Sequence, residues 1–213
     1  MKEFFKSCLH GFWLITLITL SVFMTGCASS DDKADSSGEA KQIQPLTPDE
    51  LNDPQTAQSF LYAGFEGKLQ EVIDYLNRGM DIDQTNISGQ TLLMIVAYNG
   101  RTDLVKFCLQ HGAELDKRDI AGRTPLMYAS SGPFPETVKY LLRKGADPNA
   151  VDYEEKWTAL MYAAAEGHMD VVRILLKKGA DPELRDVDGD TAASFARKNG
   201  FNEVADFLES LSE

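Results

Sequence analysis

Residues 157–181 read WTALMYAAAEGHMDVVRILLKKGAD, and this stretch decides the fold. Thr158 suits a helix N-cap, because its hydroxyl can accept a hydrogen bond from a backbone N–H that has no partner inside the helix. Leu160, Met161, Ala163 and Ala164 follow at helical spacing and form an apolar side, with small residues where a second helix must come close. Gly167 breaks that helix. Val171, Val172, Ile174, Leu175 and Leu176 make the apolar side of the next one. Lys177 and Lys178 complement the negative end of its dipole, and Gly179 supplies the left-handed residue that ends it. The stretch is two short antiparallel helices joined by a tight reversal.

Such a pair cannot bury its apolar faces alone, so the pattern should recur. The stop signal stands at Gly79, Gly112, Gly145 and Gly179, and the start signal at Thr91, Thr124, Thr158 and Thr191. The intervals are 33, 33 and 34 in the first series and 33, 34 and 33 in the second. Two independent signals with one period define a tandem array, with a single one-residue insertion.

At this point the chain resembles the ankyrin-repeat family, whose unit is a β-turn finger followed by two helices. The residues that carry the resemblance are Asp119-Ile-Ala-Gly-Arg-Thr-Pro-Leu-Met, Ala163-Ala-Ala-Glu-Gly-His-Met-Asp-Val-Val, and Gly-Ala-Asp-Pro-Asn at 145–149. The resemblance runs from about Pro54 to the C-terminus. It implies an all-α solenoid of four repeats plus a C-terminal capping repeat. The repeats span about 54–83, 84–116, 117–149 and 150–183, and the cap 184–213. One departure is systematic: where the family usually has His after Thr-Pro-Leu, this chain has Met94, Met127 and Met161. Methionine offers packing there instead.

Several local features add detail. Thr47-Pro48-Asp49-Glu50 carries an N-cap, a proline at the first helical position and early acids, and so reads as a short helix start; Asp53-Pro54 opens the first array helix. Repeat one lacks the finger and its Thr, as a capping repeat should. In repeat three the turn between helices reads Ser131-Gly-Pro-Phe-Pro135, with Pro135 placed to begin the second helix and Phe134 given no reason to be inside. The insertion falls in the finger of repeat four, where Lys156 replaces the glycine of its neighbours. Cys108 holds the position of Leu141 and Leu175 and reads as a core thiol.

The first 45 residues do not belong to the array. Lys2 and Lys6 precede an apolar run, Phe12 to Met24, which reads as a secretory signal peptide over residues 1–26. Its end, Met24-Thr-Gly-Cys27, resembles the lipobox of bacterial lipoproteins. That resemblance implies lipidation of Cys27, palmitate among its acyl chains, and a new N-terminus there. Several chains on one residue anchor stably. Ala28, in place of a retaining Asp, implies the outer membrane facing the periplasm. An ordinary cleaved signal or a single-pass anchor are the alternative readings. Ala28 to Pro45 is small and polar, a tether whose 18 residues reach roughly 20–25 Å.

Chemistry finds no foothold in the residue pattern. No Ser or Cys stands with a His and an acid at a spacing that suggests a nucleophile and base. No glycine-rich phosphate loop is present. Asp186-Val-Asp-Gly-Asp190 resembles the start of a calcium loop but has Gly at its fourth position and Arg197 where the bidentate Glu belongs. His168 and His111 read as structural. Neither enzyme activity, a cofactor nor a metal is expected.

Charge narrows the partners. Removing Lys2, Lys6 and Glu3 from 21 basic and 33 acidic residues leaves 19 against 32, a net of −13, which argues against nucleic acid. Acids crowd the fingers: Asp81, Asp83, Asp116, Asp119, Asp152, Glu154, Glu155, Asp186, Asp188 and Asp190. They serve solubility or steer a partner with a basic surface. The resemblance implies a monomeric scaffold that binds another protein on its concave face, with the membrane reached through lipid alone. Inhibition of a secreted toxin or envelope enzyme, as an immunity protein would do, is the alternative. The family's contact positions carry over to Ile87, Ser88, Gln90, Tyr98 and Asn99; to Ile120, Ala121, Arg123 and Ser131; to Tyr153, Glu154, Trp157, Ala165 and Glu166; and to Asp188 and Asp190. Phe134 joins them as an aromatic placed in a turn.

Overall fold

The computed structural model describes residues 44–211; the signal peptide, Cys27 and the tether up to residue 43 lie outside the described residues. A short α1 (Pro48–Leu51) precedes five helix pairs: α2 (Pro54–Glu66) with α3 (Leu69–Asn77), α4 (Leu92–Tyr98) with α5 (Thr102–Gln110), α6 (Pro125–Ser130) with α7 (Pro135–Lys144), α8 (Ala159–Ala165) with α9 (Met169–Lys177), and α10 (Ala192–Lys198) with α11 (Asn202–Glu209). The first helices α2, α4, α6, α8 and α10 pack side by side in one row, and α5, α7 and α9 form a second row behind them. Among the described residues the only β-pairing is two isolated bridges at finger bases, Thr85 with Thr91 and Val151 with Thr158.

The repeated threonines cap as expected. The hydroxyls of Thr91, Thr124, Thr158 and Thr191 accept from the amides of Met94, Met127, Met161 and Ser194 at 3.3, 3.4, 3.3 and 3.3 Å. The methionines do more than pack. The sulfurs of Met127 and Met161 accept from the amides of Thr124 and Thr158 at 3.4 and 3.5 Å, so a thioether closes the capping box.

Each second helix contributes to continuous core rows. Val105, Val138 and Val172 form one, and Cys108, Leu141, Leu175 and Leu208 another, all essentially without solvent contact. Burial pushes the Cys108 thiol up to about 12, so at neutral pH it is a protonated, inert core residue. The hydroxyl of Ser130 is the one buried side-chain polar atom without a partner among the described residues; Ala97 and Ala164 hold the same position in neighbouring repeats.

Both ends are closed. Leu46 is buried, its amide donates to the Arg78 carbonyl at 2.7 Å, and Arg78 Nε donates to the Gln44 carbonyl at 3.2 Å. The docked chain thus begins two residues before the expected boundary at 46. At the other end Val204, Ala205 and Leu208 of α11 face inward, and Arg197 of α10 pairs with Asp206 and Glu209 on its outer side.

Repeats are also stapled through the loops that follow each second helix. The Asp83 carboxylate accepts from the Glu114 amide at 3.3 and 3.0 Å, Asp116 faces the Asp147 amide in the same way, and Asn149 accepts from the Asp181 amide at 2.8 Å. Asn149 also donates to the Gly179 carbonyl at 3.0 Å. Partial burial, and the neighbouring carboxylates Glu114 and Asp147 respectively, hold the Asp83 and Asp116 carboxyls above their ordinary value of 3.8. A raised carboxyl pKa contributes stability that is fully present below the unfolded value and is lost as pH rises through the folded one. Asp83→Asn with Asp116→Asn copies the neutral Asn149 staple and removes that loss. The double variant should be more stable than wild type at pH 7. The gain should shrink as pH falls toward 4, measured as the difference from wild type in urea midpoints. A gain independent of pH would contradict this account.

Candidate protein-binding face

The fingers are built from their first residue outward. Asn86 Oδ1 accepts from the amides of Ser88 and Gln90 at 2.9 and 3.0 Å; Asp186 Oδ1 accepts from Asp188 and Asp190 at 3.0 and 2.7 Å. Asp119 and Asp152 hold their fingers through the amides of Arg123 and Glu155, at 2.8 and 2.9 Å. A short polar side chain bonded to its own downstream backbone is what fixes such a turn. The left-handed residue that closes it is Gly89, Gly122 or Gly189; in repeat four it is Lys156, at φ 59° the only non-glycine residue with positive φ among those described.

Neighbouring fingers are tied by backbone hydrogen bonds. The amides of Ile120, Tyr153 and Val187 donate to the carbonyls of Ser88, Ala121 and Glu155 at 3.1, 2.8 and 3.1 Å. Their tips project Ile87, Ile120, Tyr153 and Val187, which are 88, 71, 66 and 52% exposed. Four large apolar side chains thus stand in one ridge. The Tyr153 ring leans on Gly122, where a Cβ would lie 2.5 Å from its Cγ, and the Arg118 guanidinium sits 5.4 Å from its centroid.

Below the ridge lies a row of aromatic and polar groups on the first helices. Gln90 Nε2 donates to the Tyr128 hydroxyl at 2.7 Å, and that hydroxyl donates to Asp119 Oδ2 at 2.7 Å. Arg123 grips the same carboxylate through its Nε at 2.9 Å and a terminal nitrogen at 2.8 Å, and lies 5.0 Å from the Tyr128 ring centroid. Burial raises the Tyr128 hydroxyl pKa, so it remains a donor. Tyr98 meets Tyr128 edge-on at 6.3 Å. In the next repeat Tyr162 donates to Asp152 Oδ2 at 3.0 Å, and Trp157 packs against Tyr162 at 5.1 Å and Phe195 at 4.3 Å. Lys198 pairs with Asp190. At the far end of the first helices, Asn99 donates to the Ile95 carbonyl, and burial raises the Glu166 carboxyl pKa.

The structure sorts the expected contact residues into groups. Ile87, Ile120 and Tyr153 form the ridge, with Ser88, Ala121, Glu154 and Asp188 between its members. Gln90, Arg123, Trp157 and Asp190 form the row beneath, each engaged with a neighbouring side chain. Tyr98, Asn99, Ser131, Ala165 and Glu166 mark the ends of the first helices.

Three expectations need correction. Phe134 is half-buried: it starts α7 at the position held by Arg101, His168 and Phe201, and its ring fills the space over Gly100 and Gly132. The turn had a packing role for an aromatic that the turn residues alone did not reveal. Trp157 is a bridge between repeat four and the cap. The acids of the fingers are only partly a steering surface, because Asp119, Asp152 and Asp186 are buried and spent on holding turns. Sequence reasoning also passed over Tyr62, Tyr128, Tyr162 and Phe195. A signal existed: the last three stand four residues after the capping Thr124, Thr158 and Thr191.

Trp157→Ala should therefore cost about 2–3 kcal/mol in chemical unfolding, since it empties a half-buried aromatic contact. Tyr153→Ala should cost less than about 1 kcal/mol. The reverse order would contradict the packing described.

A family model described as ankyrin repeats, in three copies, matches residues 60–152 and 134–211. No curated protein matches the chain.

Proposed function

The chain belongs to the ankyrin-repeat family, and from that premise we propose that it is a lipid-anchored scaffold of the bacterial cell envelope that binds another protein through its fingers and first helices. Ankyrin repeats generally mediate protein–protein interaction and are typically non-catalytic. Each repeat touches only its neighbours, so one long face remains for a partner. The observation that carries the reading is the fingertip ridge: four exposed apolar side chains in register, on a backbone held rigid from finger to finger. Apolar anchors on a rigid frame need little ordering on association, and interface energy concentrates in such residues. Glu154, Glu155 and Asp188 make no ion pair among the described residues, and they suit a partner with a basic surface.

The anchor rests on Met24-Thr-Gly-Cys27 and on the polar stretch after it, and places the domain at the periplasmic side of the outer membrane. Cys27→Ser should release the protein from membranes or leave its signal peptide attached. A mature wild-type chain that starts elsewhere, or that lacks the acyl mass on its first residue, would overturn the anchor. For the binding face, Ile87→Ser with Ile120→Ser should abolish recovery of the partner that wild type recovers from envelope extracts. Equal recovery by this variant and by Tyr98→Ala would overturn the face.

A further inference from the structure

The ridge is not uniform along its length. Finger residues 85–90 carry no charge, and 118–123 carry Arg118, Asp119 and Arg123, a net of +1. Residues 151–156 carry Asp152, Glu154, Glu155 and Lys156, and 185–190 carry Arg185, Asp186, Asp188 and Asp190, each a net of −2. The tips differ in the same sense. Ile87 and Ile120 are followed by Ser88 and Ala121, whereas Tyr153 and Val187 are followed by Glu154 and Asp188, both exposed.

Two of the arginines of this surface, Arg118 and Arg123, are half-buried and engaged, and Arg185 stays exposed. Arg118 donates to the carbonyls of Gly122 and Val151 at 2.7 and 2.6 Å, Arg123 is held by Asp119, and Arg185 donates to the Gly189 carbonyl at 2.8 Å. The outward charge at the repeat-four and repeat-five end is therefore carried by Glu154, Glu155 and Asp188 against Lys156 and Arg185, and stays net negative.

From this gradient we infer that the ridge takes a partner segment of defined polarity. Its aliphatic side chains lie on Ile87 and Ile120, and its lysines or arginines lie on the end formed by Tyr153, Glu154, Val187 and Asp188. This rests on the protein-binding reading above and adds the chemistry and direction of the bound segment. Burial of aliphatic groups supplies affinity at one end. Opposite charge fixes register at the other and repels a segment laid in reverse.

The test is selection of random 12-residue peptides displayed on phage against the full-length chain, followed by fluorescence anisotropy of the selected peptides. The expected peptides carry Ile, Leu or Val toward one end and Lys or Arg toward the other. Their affinity falls at least tenfold with Glu154→Lys and Asp188→Lys, at least tenfold with Ile87→Ser and Ile120→Ser, and again when salt is raised. All four sites are exposed or half-exposed tips, and circular dichroism of each variant checks the fold. Selected peptides lacking this polarity, or a selection that yields no binder, would overturn the inference. Peptides that ignore both variant pairs but are lost on Tyr62→Ala or Tyr98→Ala would also overturn it. That last result would leave protein binding by the face intact and place it along the first helices.

Discussion

Leu141→Ala is expected to cost about 2–5 kcal/mol, the range for emptying a fully buried leucine site. Leu141 has no solvent exposure and lies between Cys108 and Leu175 in a row that runs through four repeats. The cavity cannot collapse easily, because the row is held from both sides by neighbours with their own packing. In a solenoid each repeat is stabilised by its two interfaces, so a defect in repeat three weakens both. Urea unfolding followed by circular dichroism should show an earlier midpoint. It should also lose the single sharp transition, as the two halves begin to melt apart. A cost below about 1 kcal/mol would mean that the row is not the core.

The second large effect concerns the turns between helices. Gly100 has φ +63°, and a Cβ there would lie 2.2 Å from the Phe134 ring. Gly100→Ala therefore meets both left-handed backbone strain and a collision with an aromatic ring, together about 2–4 kcal/mol. Phe134→Ala alone should cost about 2–3 kcal/mol through lost packing. In the double variant the collision disappears, so the combined cost should fall short of the sum by at least about 1 kcal/mol. Strict additivity would show that the ring does not sit where the structure has it, and would restore Phe134 as a candidate contact for a partner.

The repeat register, the helix pairs, the caps and the C-terminal closure were all legible in the sequence, because each rests on local rules. Thr158 caps wherever a helix must start, and Gly179 ends one wherever a left-handed residue is needed. What was hidden depends on the neighbouring repeat. Phe134 has no local reason to be buried; its site is made by Gly100, 34 positions earlier. Trp157 looks like a loop aromatic until Phe195 of the following repeat is set against it. The thioether of Met127 accepting from its own cap amide was missed for a different reason, since sulfur is a weak acceptor and packing alone accounts for its burial.

The finger acids follow the same division. Asp119, Asp152 and Asp186 read as surface charge because they are acids in loops. In three dimensions each satisfies backbone amides that would otherwise lack partners, and two of them also accept from tyrosines. At the fingertips themselves the acids left facing outward are Glu154, Glu155 and Asp188, in repeats four and five.

The central claim is that the fingers and first helices are where another protein docks. Site-specific photo-crosslinking in cells expressing the full chain tests it most directly. A photoreactive residue is placed singly at Ile87, Tyr98 or Asp188 on that face, and at Asp103, Lys139 or Lys177 on the second helices behind it. The account predicts one adduct of common mass from the three front positions and none of that mass from the three behind. Adducts formed from the rear positions and absent from the front would contradict it.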